Sequence, residues 1–175
     1  MAHNRGFTLI ELLIVVGIIG IIAAIGVPQL LRARLSSQEA ASSAALRAIS
    51  SSQANYAATC GGGGYATDLA DLARPPAGTP YGFISPDLST NGVRKSGYVF
   101  FLERNNGPDT TDVLTPSCNA AVSTLASSFY ASAFPITPGS TGTKFFATDT
   151  PGTIYVDRVA AIPNPIPAGT LTMQQ

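Results

Sequence analysis

The stretch RGFTLIELLIVVGIIGIIAAIGVPQL, Arg5–Leu30, decides how the rest of the chain is read. From Leu12 to Val27 it holds no polar side chain, and from Phe7 to Leu31 the apolar segment covers 25 residues. As a helix rising about 1.5 Å per residue, that length crosses a hydrocarbon core of about 30 Å. The Val and Ile content would also suit a buried strand, but strands seldom exceed about ten residues. A membrane-crossing helix is therefore expected over residues 7–31. The leader before it, MAHNRG, carries Arg5, a positive flank that favours keeping this end in the cytoplasm. The apolar run is longer than the h-region of about 7–15 residues in an ordinary secretory signal, and no clean small-x-small cleavage site follows it.

Glu11 resists the reading as a plain signal anchor. It lies near the start of the apolar segment, and an ionised side chain at mid-membrane costs about 2.5–3.5 kcal/mol on insertion scales, less near the interface. The leader offers it Arg5, six residues earlier. A cut between Gly6 and Phe7 would instead create an α-ammonium four residues from Glu11, on the same helix face, or within reach of Glu11 on a neighbouring helix. The two charges attract far more strongly in a low dielectric than in water, while desolvation cancels much of the gain. What remains is specificity of register. Glu11 reads as an assembly device.

This N-terminal string resembles the class III signal and first helix of type IV pilins and of the pseudopilins of type II secretion, over about 30 residues. The resemblance implies that a prepilin peptidase in the bacterial inner membrane cuts after Gly6 and N-methylates Phe7. It implies that Glu11 pairs with the Phe7 amine of an adjacent subunit. The mature subunit would wait in the inner membrane with its head in the periplasm. An inner-membrane assembly platform and its ATPase would then extract it into an extracellular helical filament of identical subunits. A glycine at position 6 suits close approach of a protease to the backbone. The implied architecture is α+β: a long N-terminal helix, transmembrane in its first half and amphipathic in its second, packed against a C-terminal antiparallel sheet.

Within the apolar helix, Pro28 lacks an N–H and disfavours a helix interior by about 3 kcal/mol, and Gly17, Gly20 and Gly26 each weaken it by up to about 1 kcal/mol. The segment Gly20–Pro28 is expected to bend or unwind, which matches where the resemblance places kinking or melting on assembly; small residues also let helices pack closely in lipid. Arg32 and Arg34 follow on the side assigned outside the cytoplasm, against simple positive-inside counting. Leu35, Ser42, Leu46, Ile49, Gln53 and Tyr56 then form a stripe at helical spacing. The helix is expected to run to Cys60, where Gly61–Gly64 stops it.

From Gly61 the pattern becomes short β-rich runs between Gly, Pro, Asn and Asp. Strands are expected at Gly97–Glu103, Ser128–Phe134, Lys144–Thr148 and Thr153–Arg158, the last two forming a hairpin through DTPG. Tyr65–Ser89 reads as a loop with a short helix. The resulting division is a leader at 1–6, the apolar helix at 7–31, its amphipathic continuation at 32–60, a sheet head at 61–162, and a proline-rich, extended or mobile tail at 163–175.

Ten basic and ten acidic residues give zero net charge, and 11% charged residues is under half the usual quarter or so. No basic excess exists to displace counterions from phosphates, so no nucleic-acid partner is expected. The only histidine, His3, lies in the leader, which leaves Ser-His-Asp and Cys-His catalysis and imidazole zinc sites without their ligand. No catalytic residue, metal site or cofactor is expected. Calcium stays open by analogy with pseudopilin heads, at Asn105–Asp112 (NNGPDTTD), which lacks the calcium-loop pattern and reads as a solvated turn. Cys60 and Cys118 are expected to pair if the head is exported, the alternative being two buried thiols; a pair starting at the helix end departs from the C-terminal-loop disulfide of many type IV pilins. The leading functional expectation is a type IV pilus subunit acting in adhesion, twitching motility or surface interaction. The alternatives are a type II secretion pseudopilin and a membrane-anchored exported enzyme or binding domain.

Overall fold

The computed structural model describes residues 7–169 and 171–173. One helix, α1, runs without interruption from Leu9 to Thr59, about 77 Å at 1.5 Å per residue. Pro28 lies inside it. The helix ends where the sequence supplies glycine: Cys60 and Gly61 both donate to the Tyr56 carbonyl, Gly63 donates to that of Ala57, and Gly62 takes φ +57°. Side chains rarely adopt that left-handed conformation, so this stop is written in the glycine run itself.

After α1, the described residues form a short helix α2 (Leu69–Ala73), a 3₁₀ turn at Pro86–Leu88, and eight strands. Six of them form one antiparallel sheet in the order β1 (Val93–Lys95), β2 (Tyr98–Arg104), β5 (Phe129–Pro135), β6 (Phe145–Asp149), β7 (Ile154–Asp157) and β8 (Thr172–Met173). The strands β3 (Asp112–Val113) and β4 (Leu125–Ala126) pair separately. All four expected strands are present within a residue or so of their expected ends, and the β6–β7 hairpin closes through Asp149–Gly152, where Gly152 N donates to the Asp149 carbonyl at 2.8 Å.

The amphipathic half of α1 lies across this sheet. Alternation in β2 and β5 turns Tyr98, Phe100, Leu102, Phe129, Ala131 and Ala133 to one face, where they bury Leu46, Ile49 and Tyr56 of the helix. Each fully buried aliphatic side chain of this kind contributes about 1.5–3 kcal/mol. Of the expected stripe, Ser42, Leu46, Ile49, Gln53 and Tyr56 are buried and Leu35 is half-buried.

The C-terminal tail was expected to be extended or mobile. Within it Ile166 and Leu171, with Ile162 just before it, pack with Tyr130, Ala147 and Tyr155 on the far face of the sheet. The Tyr130 hydroxyl donates to the Ile162 carbonyl at 2.5 Å, and Thr172–Met173 add the edge strand β8. Apolar residues spaced between the prolines give the described part of this segment its contacts, in an extended form.

Candidate functional site: the amino-terminal helix

The helix opens on a reciprocal cap. Thr8 is extended (φ −86°, ψ 150°) and its Oγ1 accepts from Glu11 N at 3.3 Å. The Glu11 carboxylate reaches back, its Oε2 accepting from Thr8 N at 3.0 Å and from Thr8 Oγ1 at 2.6 Å. A helix start leaves four N–H groups unpaired, and in lipid no water is present to satisfy them. The Thr-x-x-Glu box meets two of these demands within the chain. It also aims the only carboxylate of the apolar segment at the end of the helix, one residue beyond Phe7. Gly6 lies outside the described residues, as do Arg5 and His3.

Every residue from Phe7 to Arg34 is exposed, including Phe7 at 78% and Leu9 at 81%. Soluble chains rarely leave apolar surface on this scale without a partner. Among the described residues α1 is the one helix long and apolar enough to cross a membrane. Gly17, Gly20 and Gly26 face open space, with no heavy atom within 4 Å of a Cβ built on any of them. Nothing among the described residues therefore requires those glycines; close approach of another helix would. Pro28 deprives the Ala24 carbonyl of its helical donor without ending the helix.

Where α1 enters the head, Glu39 is buried on the stripe between Leu35 and Ser42. Its Oε1 accepts from Thr143 N (2.9 Å) and Oγ1 (2.7 Å), and its Oε2 pairs with Lys144 Nζ at 2.9 Å. Burial pushes its pKa up, but the hydrogen bonds from Lys144 and Thr143 and the Lys144 charge outweigh burial and hold it below the usual carboxylate value. Further along, fully buried Gln53 mimics a strand, donating to the Ala66 carbonyl (2.6 Å) and accepting from Ala66 N (3.0 Å).

At the helix end Cys60 and Cys118 form a disulfide with Cα atoms 4.8 Å apart, and Cys118 N donates to the Cys60 carbonyl. Next to it, Asn119 accepts from the buried Tyr56 hydroxyl and donates to the Asp71 and Arg74 carbonyls. Buried Asp71 accepts from Val122 N and Ser123 N. The disulfide loop is thus tied to both α1 and α2. In Asn105–Asp112, Asp112 is taken by Arg104 at 2.6 Å and Asn105 Oδ1 caps Gly107 N at 2.8 Å. Among the described residues no cluster of three or more His, Cys, Asp or Glu is placed to hold a metal. Glu39, Asp71 and Asn119 were not singled out from the sequence, and Gln53 was placed on the stripe without its strand-like pairing. The heptad-like spacing 35, 39, 42, 46, 49, 53, 56 was the signal that could have found the first.

Residues 1–27 match the family model described as the prokaryotic N-terminal methylation motif. The chain is also similar to the type IV major pilin protein PilA of Myxococcus xanthus (strain DK1622), 45% identical over 54 residues that make up 31% of this chain and 24% of that protein. It therefore matches about a quarter of the length of that curated relative. No solved structure matches. The first 27 residues thus carry a prepilin-type methylation motif, a 54-residue stretch is similar to a type IV major pilin, and the chain as a whole folds as one long helix laid on an antiparallel sheet, an α+β, pilin-like arrangement.

Proposed function

We propose that this chain is a structural subunit of a type IV pilus. It is cleaved after Gly6 by a prepilin peptidase and N-methylated at Phe7. It is held in the inner membrane by residues 7–31, and an assembly platform and its ATPase then move it into a filament of identical copies. One observation carries the reading: an uncovered apolar segment, residues 7–31 of the chain, whose single carboxylate, Glu11, already folds back onto the residue next to Phe7. Cleavage before Phe7 would add a positive charge one residue before Thr8, the residue that carboxylate already binds. In the filament Glu11 has two candidate donors, its own amine and a neighbour's, and exchanging one for the other fixes the register between subunits.

The pseudopilin reading shares every one of these steps. The name of the M. xanthus relative and the commitment of Asp112 to Arg104, which leaves the 105–112 turn short of free carboxylates, favour the pilus. A membrane-tethered enzyme would make no use of Glu11. The test is mass spectrometry of the mature N-terminus with an assembly assay on Glu11→Ala. The expected result is N-methylated Phe7 in both proteins and sheared fibres from the wild type only. An unprocessed Met1 in functional protein, or normal fibres from Glu11→Ala, would refute the proposal. Loss of protein export with fibres intact would transfer it to the pseudopilins.

A further inference from the structure

Where α1 leaves the head, its Arg34 and Gln38 face Ser140 and Thr141 of the β5–β6 connection across a cavity of about 310 Å³, with Leu31 and Leu35 along its apolar side. That volume is at the lower end of the ~300–1,000 Å³ range of small-molecule sites. None of the described ion pairs uses Arg32 or Arg34. Gln38 Oε1 is buried and accepts no hydrogen bond among the described groups. Rotation of this flexible amide into the cavity would let a donor on an occupant reach that oxygen.

The position of the cavity along the helix identifies the occupant. Between Glu11 and Arg34 the helix rises about 35 Å, and Arg32 and Arg34 stand directly after the apolar run. With that run filling a hydrocarbon core of about 30 Å, the cavity lies in the headgroup layer. Two unpaired guanidinium groups at this depth favour an anionic lipid. Leu31 and Leu35 continue the exposed apolar face below, along which acyl chains can lie.

Resting on the membrane placement proposed above, we propose that the cavity holds a phosphatidylglycerol headgroup while the subunit waits in the bilayer. Arg34 binds the phosphate, and the glycerol hydroxyls donate to Gln38 and meet Ser140. Assembly then requires release of this lipid.

The test uses the full chain in nanodiscs of phosphatidylglycerol mixed with phosphatidylcholine. Retained lipid is counted by native mass spectrometry after detergent stripping, and protease protection of residues 7–31 is measured in the same discs. The wild type should retain phosphatidylglycerol in preference to phosphatidylcholine. Arg34→Gln should lose about tenfold in retention, as expected for one charge-assisted hydrogen bond. Arg32→Gln, which removes the same charge at the same depth but outside the cavity, should stay near the wild type. Equal retention of both lipids, or equal losses in the two arginine variants, overturns the proposal. So does wild-type retention by Arg34→Gln with failed assembly, which would give the cavity to a neighbouring copy. Unprotected residues 7–31 would overturn the membrane placement itself. Protected residues without retained lipid would overturn only the headgroup site.

Discussion

Replacing Glu39 should loosen the head from its helix by a calculable amount. The carboxylate accepts two hydrogen bonds from Thr143 and one from Lys144. Hydrogen bonds to charged groups contribute about 1.5–3 kcal/mol each when buried, and removing one partner of a fully buried pair costs about 3–5 kcal/mol. Here the Lys144 side chain is 31% exposed, against 10% for Glu39, so water recovers part of what the ammonium loses. Thr143 is exposed as well. The expected cost of Glu39→Ala is therefore at the low end, about 2–3 kcal/mol. For a domain of this size that lowers Tm by about 10 °C.

The pH dependence has a definite sign. Because the folded pKa of Glu39 lies below its ordinary value, the contribution is present above that ordinary value of 4.5 and fades as pH falls through the folded pKa. Glu39→Gln should differ most from the wild type at neutral pH and converge with it under acid. Asp87, held low by Lys95, titrates in both proteins and cancels in the comparison. The assay is thermal unfolding of the full chain in detergent, followed by near-ultraviolet circular dichroism of the buried tyrosines, from pH 3 to 7. Glu39→Met with Lys144→Met should regain most of the loss, since an apolar pair leaves no buried charge unmatched. A loss under about 0.5 kcal/mol for Glu39→Ala, the range of an ordinary surface substitution, would refute the reasoning. So would a Glu39→Gln difference that persists unchanged at pH 3.

Two further outcomes follow from the head. Removing both Cys60 and Cys118 by serine substitution opens a loop with a sequence separation of 58 and should cost about 4 kcal/mol in the chain-entropy model; denaturant unfolding with and without reductant checks it, since reductant should change only the wild type. Burial pushes the Tyr130 phenol up to about 12, so the unfolded chain ionises first as pH rises past about 10, and stability should fall from there towards pH 12. Tyr130→Phe should flatten that decline while costing about 1 kcal/mol at neutral pH, read as the difference between the two proteins' unfolding curves.

What was legible in the sequence follows from how locally each feature is determined. A 25-residue apolar run has one structural solution, and the glycine run that ends α1 carries its own stop. The strands β2, β5, β6 and β7 are long enough for alternation to register. Strands β3, β4 and β8 have two residues each and so no period to read. Strand β1 is three residues, VRK, and its charges suit an exposed sheet edge but suggest a loop. Its pairing is set by the turn, where Ser96 (φ 50°) and Gly97 (φ 79°) both adopt the left-handed conformation that tight hairpins need. Glu39 was passed over because a glutamate among SSQEAASS reads as a solvated face. Its partners are more than a hundred residues away, and only the fold brings them to it.

The helix therefore carries two carboxylates in opposite conditions, and the contrast bears on assembly. Glu39 takes its donors from a strand and loop that no other arrangement of the chain would supply, so it is satisfied once the head folds. Among the described residues Glu11 is satisfied by Thr8, three residues away, through bonds that any isolated helix start can make. The apolar surface around it loses little on moving from lipid to a bundle of like helices, since lipid tails are as apolar as leucine. Burial then supplies little preference for one stagger over another. On the proposed reading, the stagger must come from the one polar group in the segment whose present partner is easily exchanged, and that group is Glu11.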